Sequence, residues 1–138
     1  MKFQYKKVAE GIWRPIITVR LANGNESFQC EALVDSGADL SLFPAVYGEG
    51  LGIDVSAGKK ESIGGINTGG GVLYEHNITI SVGGHEHDVI VGFMPDMSTQ
   101  NHGILGQLGL FDLYQVTFSY LKGEIQLREY NDKVKRSW

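Results

Sequence analysis

Ala32-Leu33-Val34-Asp35-Ser36-Gly37-Ala38-Asp39-Leu40-Ser41-Leu42-Phe43-Pro44 is the stretch on which the reading of this chain turns. An apolar run leads straight into a carboxylate, so Asp35 is expected to emerge at the end of a strand, partly shielded from water. Ser36 and Gly37 can turn the chain there while offering a hydroxyl and backbone N–H groups to the carboxylate. Taken alone, Asp-Ser-Gly is most simply an Asx-turn at a strand end. The pattern around it decides between that reading and a working carboxylate.

On either side of this stretch, short apolar alternations recur: Ile17, Val19, Leu21; Phe28, Cys30, Ala32, Val34; Ile78, Ile80, Val82; and Val89, Val91, Phe93. A period of two is the signature of half-buried strands. Ala22-Asn23-Gly24-Asn25-Glu26 supplies an Asn-Gly hairpin turn, in which both residues tolerate positive φ. Gly83-Gly84 and Lys122-Gly123 supply two more turns. Helical turns are expected only at Pro44 to Leu51, where Gly48, Gly50 and Gly52 weaken the case, and at Gly106 to Leu113. The pattern predicts an all-β chain, a small closed barrel or sandwich with one or two short helices. Residues 1–138 read as one domain with a core over about 15–130.

Composition agrees with that architecture. The 138 residues include 19 glycines against 3 prolines, and 42% are hydrophobic, enough for one core but not two. A formal charge of −4 provides no basic field for nucleic acid or an anionic membrane. No run is apolar enough to cross a bilayer, and the opening MKFQYKKVAEGIW lacks the apolar stretch of a signal peptide. A cytoplasmic location is therefore expected. The single cysteine, Cys30, alternates with apolar Phe28, Ala32 and Val34 and reads as a buried structural thiol.

Further along, Gly103-Ile104-Leu105-Gly106-Gln107-Leu108-Gly109-Leu110 precedes a strand through Val116, Thr117 and Phe118. Between the two motifs lies Ser62-Ile63-Gly64-Gly65-Ile66-Asn67-Thr68-Gly69-Gly70-Gly71-Val72. Apolar-Asp-Ser-Gly-Ala-Asp, then a glycine-rich hairpin, then Ile-Leu-Gly, in that order, resembles the retropepsin family, the dimeric aspartic proteases of retroviruses and their bacterial and eukaryotic relatives. The resemblance covers residues 15–130, roughly.

It implies the retropepsin-like acid-protease fold and an aspartic endopeptidase. Asp35 would be the catalytic aspartate, Ser36 would lock two copies of the active loop together, and Gly37 would lend backbone contacts. Ala38 and Asp39 would line the substrate, with Asp39 holding the backbone of an extended peptide. Ile63, Gly64, Gly65 and Ile66 would form the tip of a flap closing over it, where glycine permits close approach and hinge motion. Ile104, Leu105 and Gly106 would be the structural motif beside the site. The chemistry needs one charged and one protonated carboxyl; since the chain has a single Asp-Ser-Gly, the second must come from another copy, which makes the partner a homodimer. No metal or cofactor is implied. The rival is a non-catalytic binding or scaffolding domain on the same fold.

One departure stands out. Many relatives place Arg after Ile-Leu-Gly, able to pair with the second Asp of the loop, whereas this chain has Gln107, which carries no charge for Asp39. The last residues, 131–138, are polar and basic and read as a solvated tail. Other chemistry finds little support. His85 and His87 are two apart beside Gly83-Gly84, better suited to an exposed hairpin than to a metal site. No Lys-Ser or Lys-Thr follows the glycines to make a phosphate loop, and Ser36 has no nucleophile elbow around it. The sequons at Asn25 and Asn77 mean little without a secretory signal.

Overall fold

The period-two alternation builds the frame as expected. In β4 (Ile16–Asn23), Ile17, Val19 and Leu21 are buried while Thr18 and Arg20 face water, and β5 (Glu26–Val34) buries Ala32 and Val34. The computed structural model describes residues 1–63, 71–100, 102–131 and 137–138. β4 and β5 form a hairpin whose last pair is Asn23 with Glu26, so its central residues are Gly24 and Asn25, one position beyond the expected Asn-Gly turn. Only Gly24 takes a positive φ, 58°, the pattern of a turn with glycine in the first central position.

The chain continues through β6 (Leu42–Pro44), helix α1 (Ala45–Gly50), a short 3-10 turn at Val55–Ala57, β7 (Lys59–Ile63), β8 (Gly71–Val82), β9 (His85–Met94) and β10 (Gly103–Leu105). The principal sheet runs in the order β4-β5-β10-β6-β9-β8-β7, and β8 also pairs with β4 through Leu21 and Ile80. Six strands thus close into a barrel, with β7 added outside β8. Closure removes the open edges that an isolated sheet would expose. β10, only three residues long, lies between β5, to which it is parallel, and β6, to which it is antiparallel.

A second sheet of β1 (Lys2–Gln4), β12 (Glu124–Glu129) and β11 (Tyr114–Ser119) packs on the barrel through buried Ile125, Leu127 and Tyr114. These residues join Leu21, Phe43, Phe93 and Leu105 in one core. Among the described residues the ribbon β2 (Lys6–Ala9) and β3 (Ile12–Arg14) pairs only with itself. Among the described residues no helix is long and apolar enough to cross a membrane.

The helical expectation holds for Pro44 to Leu51, where α1 forms, and fails for Gly106 to Leu113. There the Gln107 and Leu108 amides donate to the carbonyls of Ala38 and Asp39, and Gly106 bridges to Gly109. The segment is drawn into pairing with the Asp35 loop before a helix can start. A single helical turn follows, in which the Leu113 and Tyr114 amides both donate to the Leu110 carbonyl.

Candidate active site

Asp35 follows directly on β5, and its amide donates to the carbonyl of Leu105 at 2.9 Å. That bond fastens the loop to β10 at the point where Leu105 lies beside Val34. The Gly37 N–H donates to Asp35 Oδ1 at 2.9 Å, and the Ala38 N–H reaches the Asp35 carbonyl at 3.3 Å. Asp35 is half-buried, while Ser36, Gly37 and Asp39 are exposed. The carboxylate is therefore held by a local N–H yet open on one side. This is the Asx-turn geometry that Asp-Ser-Gly alone permits, set on a rigid strand end.

The Ile104-Leu105-Gly106 motif is the other half of the frame. Gly106 is buried, and a Cβ there would sit 2.6 Å from the Ala38 carbonyl oxygen and 2.8 Å from that of Leu40. Only glycine lets the two segments approach this closely. Beyond it, the Gln107 amide donates to the Ala38 carbonyl at 2.8 Å, and the Leu108 amide to the Asp39 carbonyl at 3.0 Å. The Gln107 side chain donates to the Ser36 carbonyl at 2.7 Å. Ser36, Gly37, Ala38 and Asp39 are thus gathered against residues 105–108. Of the expected flap residues, Ile63 ends β7 opposite Gly71; Gly64, Gly65 and Ile66 lie outside the described residues.

Ser41 belongs to this frame and was not singled out by its sequence. Its side chain is fully buried; the hydroxyl donates to the Leu108 carbonyl at 2.9 Å and accepts the Gly106 N–H at 3.0 Å. A lone serine between Leu40 and Leu42, at a position that the strand buries, was the available signal. Buried polar groups are normally paired, and this one is paired twice.

The remaining titratable groups lie elsewhere. Burial, with Glu31 adding, pushes the Cys30 thiol up to about 12, so it stays protonated and a poor nucleophile at ordinary pH. His87 meets the Tyr114 hydroxyl at 2.6 Å, and His76 meets the Val55 carbonyl at 2.7 Å. Among the described residues no three His, Cys, Asp or Glu side chains are grouped to hold a metal.

A family model described as aspartyl protease matches residues 17–108, two thirds of the 138. The chain belongs to the aspartyl protease family. The match takes in the Asp35 loop, Ser41 and the Ile-Leu-Gly motif. Two solved structures resemble this family member in fold. A retropepsin-like aspartic protease from Rickettsia conorii is 15% identical, with TM-score 0.66, covering 92% of this chain and 89% of its own. EIAV protease, solved with the inhibitor HBY-793, is 23% identical, with TM-score 0.51, covering 68% of this chain and 82% of its own. The fold is retropepsin-like, as the motifs implied. No curated protein matches the chain.

Proposed function

We propose that this protein is an aspartic endopeptidase whose site is completed by a second copy, with the two Asp35 carboxyls facing each other on the two-fold axis. The observation that carries the reading is the anchoring of Asp35: its backbone is fixed to Leu105, its Oδ1 accepts the Gly37 N–H, and its loop stays exposed. A carboxylate positioned on a strand end and left open to an approaching molecule suits general acid–base work.

In this reading one Asp35 takes a proton from a water molecule, which attacks the peptide carbonyl. The other Asp35, protonated, donates to the carbonyl oxygen and stabilises the tetrahedral intermediate. The proton taken from water then passes to the leaving amine, and the peptide bond breaks without a covalent intermediate. Ser36, exposed beside Asp35, would bind across the axis. Ala38 and Asp39 would contact the substrate backbone, and the segment from Ile63 through Ile66 would close over it. Two like charges held close together favour a shared proton, which gives the two identical residues different roles.

The test is incubation with a library of unstructured peptides at several pH values, comparing the native chain with Asp35→Asn. Cleavage by the native chain, lost in a folded Asp35→Asn variant, is the expected result. Equal cleavage by both removes Asp35 from the chemistry. No cleavage by either, with peptide still bound, favours the scaffolding domain.

A further inference from the structure

We infer that the β2–β3 ribbon is an arm that packs on a second copy of this chain, and the inference rests on the dimeric reading of the site. Every residue of the two strands is exposed, and Val8, Ile12 and Trp13 keep 39%, 46% and 48% of their surface in water. Trp13 lies opposite Lys7 and Ile12 opposite Ala9. As neighbours on one strand, Ile12 and Trp13 point to opposite faces, so each face carries a large apolar side chain. A ribbon of two strands is marginal in water unless a third strand or another element covers it. Among the described residues, the side-chain ion pair that ties it to the rest of the chain is the exposed Lys6–Glu31 pair, and such pairs contribute little.

The arm's position and charge point to the occupant. The arm ends at Arg14, and the carbonyl of the next residue, Pro15, accepts the amide of Val34, the residue before Asp35, at 2.9 Å. The ribbon therefore leaves the barrel at the end where the site needs its second carboxylate. Half-exposed Leu108, whose amide is bonded to the Asp39 carbonyl, adds an apolar surface at that end. Lys6, Lys7 and Arg14 against Glu10 give the arm two surplus positive charges. On a chain of net charge −4, the remainder carries −6. A basic arm with an apolar side chain on each face, meeting an acidic body, is complementary to its own copy. An exchange of arms about a two-fold axis satisfies both chains at once.

The experiment is sedimentation of the Asp35→Asn chain over a concentration series, with and without Ile12→Ser and Trp13→Ser, so that self-association is read apart from catalysis. We expect a dimer whose dissociation constant rises ten-fold or more in the double variant, with melting of the monomer unchanged. In a Trp138→Phe chain, Trp13 emission should shift to the blue as concentration rises. If the double variant melts early, that emission shift decides. A dimer indifferent to both substitutions, or one forming with no shift of Trp13, overturns the arm and leaves the protease reading standing. A chain that cleaves peptides while sedimenting as a monomer throughout overturns the arm and the shared site together.

Discussion

The side-chain amide of Gln107 donates to the carbonyl oxygen of Ser36 at 2.7 Å, joining residues 71 positions apart. The position after Ile-Leu-Gly is thus occupied by a neutral donor that braces the Asp35 loop within one chain. Gln107→Ala removes that brace. An exposed neutral hydrogen bond contributes about 0.5–1.5 kcal/mol, and a loss of that size should appear in urea denaturation. If the loop's shape matters to catalysis, peptide cleavage should fall by more than stability does. Unchanged cleavage in Gln107→Ala would show that the loop holds its shape without the side chain.

Ser41→Ala should be costlier although Ser41 never reaches the surface. The Leu108 carbonyl keeps a donor in the Ser41 backbone amide, but the buried Gly106 N–H loses its acceptor. An orphaned buried donor costs about 1–3 kcal/mol. Thermal and urea unfolding should both register it, whereas Ser41→Thr, which keeps the hydroxyl, should recover much of the loss if the extra methyl fits.

Gly106→Ala asks for space that two backbone carbonyls already fill. Neither the Ala38 nor the Leu40 oxygen can swing aside as a side chain would, so the active loop itself must shift. Overpacking of this kind costs about 1–3 kcal/mol. A variant that folds should still cleave poorly. Native cleavage rates in Gly106→Ala would contradict the close approach seen here.

Alkaline pH should weaken the fold most through two groups, Tyr114 and Cys30, with Tyr5 and Tyr47 raised by burial in the same direction. Burial, with Glu129 adding, raises the Tyr114 hydroxyl from its ordinary 10 to about 12, and the Cys30 thiol rises from 9 to about 12. The unfolded chain releases these protons first, so the stability they contribute is full below pH 9 and declines as pH rises toward 12. Tyr114→Phe should lose about 1 kcal/mol at neutral pH with its 2.6 Å contact to His87. It should then decline less between pH 10 and 12, because the contribution of the Tyr114 hydroxyl is gone. Urea midpoints across that range check both signs.

The barrel strands were legible because a half-buried strand writes its burial into every second residue, as Ile17, Val19 and Leu21 do. β1 to β3 were not: Lys6-Lys7-Val8-Ala9 is exposed throughout and has no buried face to alternate against. The hairpin at Gly24 was found one residue early, because the pairing of Asn23 with Glu26 settles the register and local turn preference does not. Asp35, Gly37 and Gly106 announced themselves by motif. Ser41 did not, and Gln107 was marked only by the charge it lacks and not by its bond to Ser36, since the partners of both are backbone atoms of Gly106, Leu108 and Ser36, and a backbone carbonyl leaves no trace in residue type. The helix expected after Gly106 failed for the same reason. Local propensity could not register the competing carbonyls of Ala38 and Asp39.

The insertion of β10 between β5 and β6 also sets a timetable. A chain emerging from the ribosome displays Asp35-Ser36-Gly37 first, and Leu105, Gly106 and Gln107 arrive only about 70 residues later. Until then the loop lacks the carbonyl that fixes the Asp35 amide, and the slot that β10 fills stands open. Contacts spanning some 70 residues are among the slower ones to form. An unfinished chain therefore carries the aspartate without the frame that holds it, and the loop takes its shape with the last strand of the barrel to be threaded.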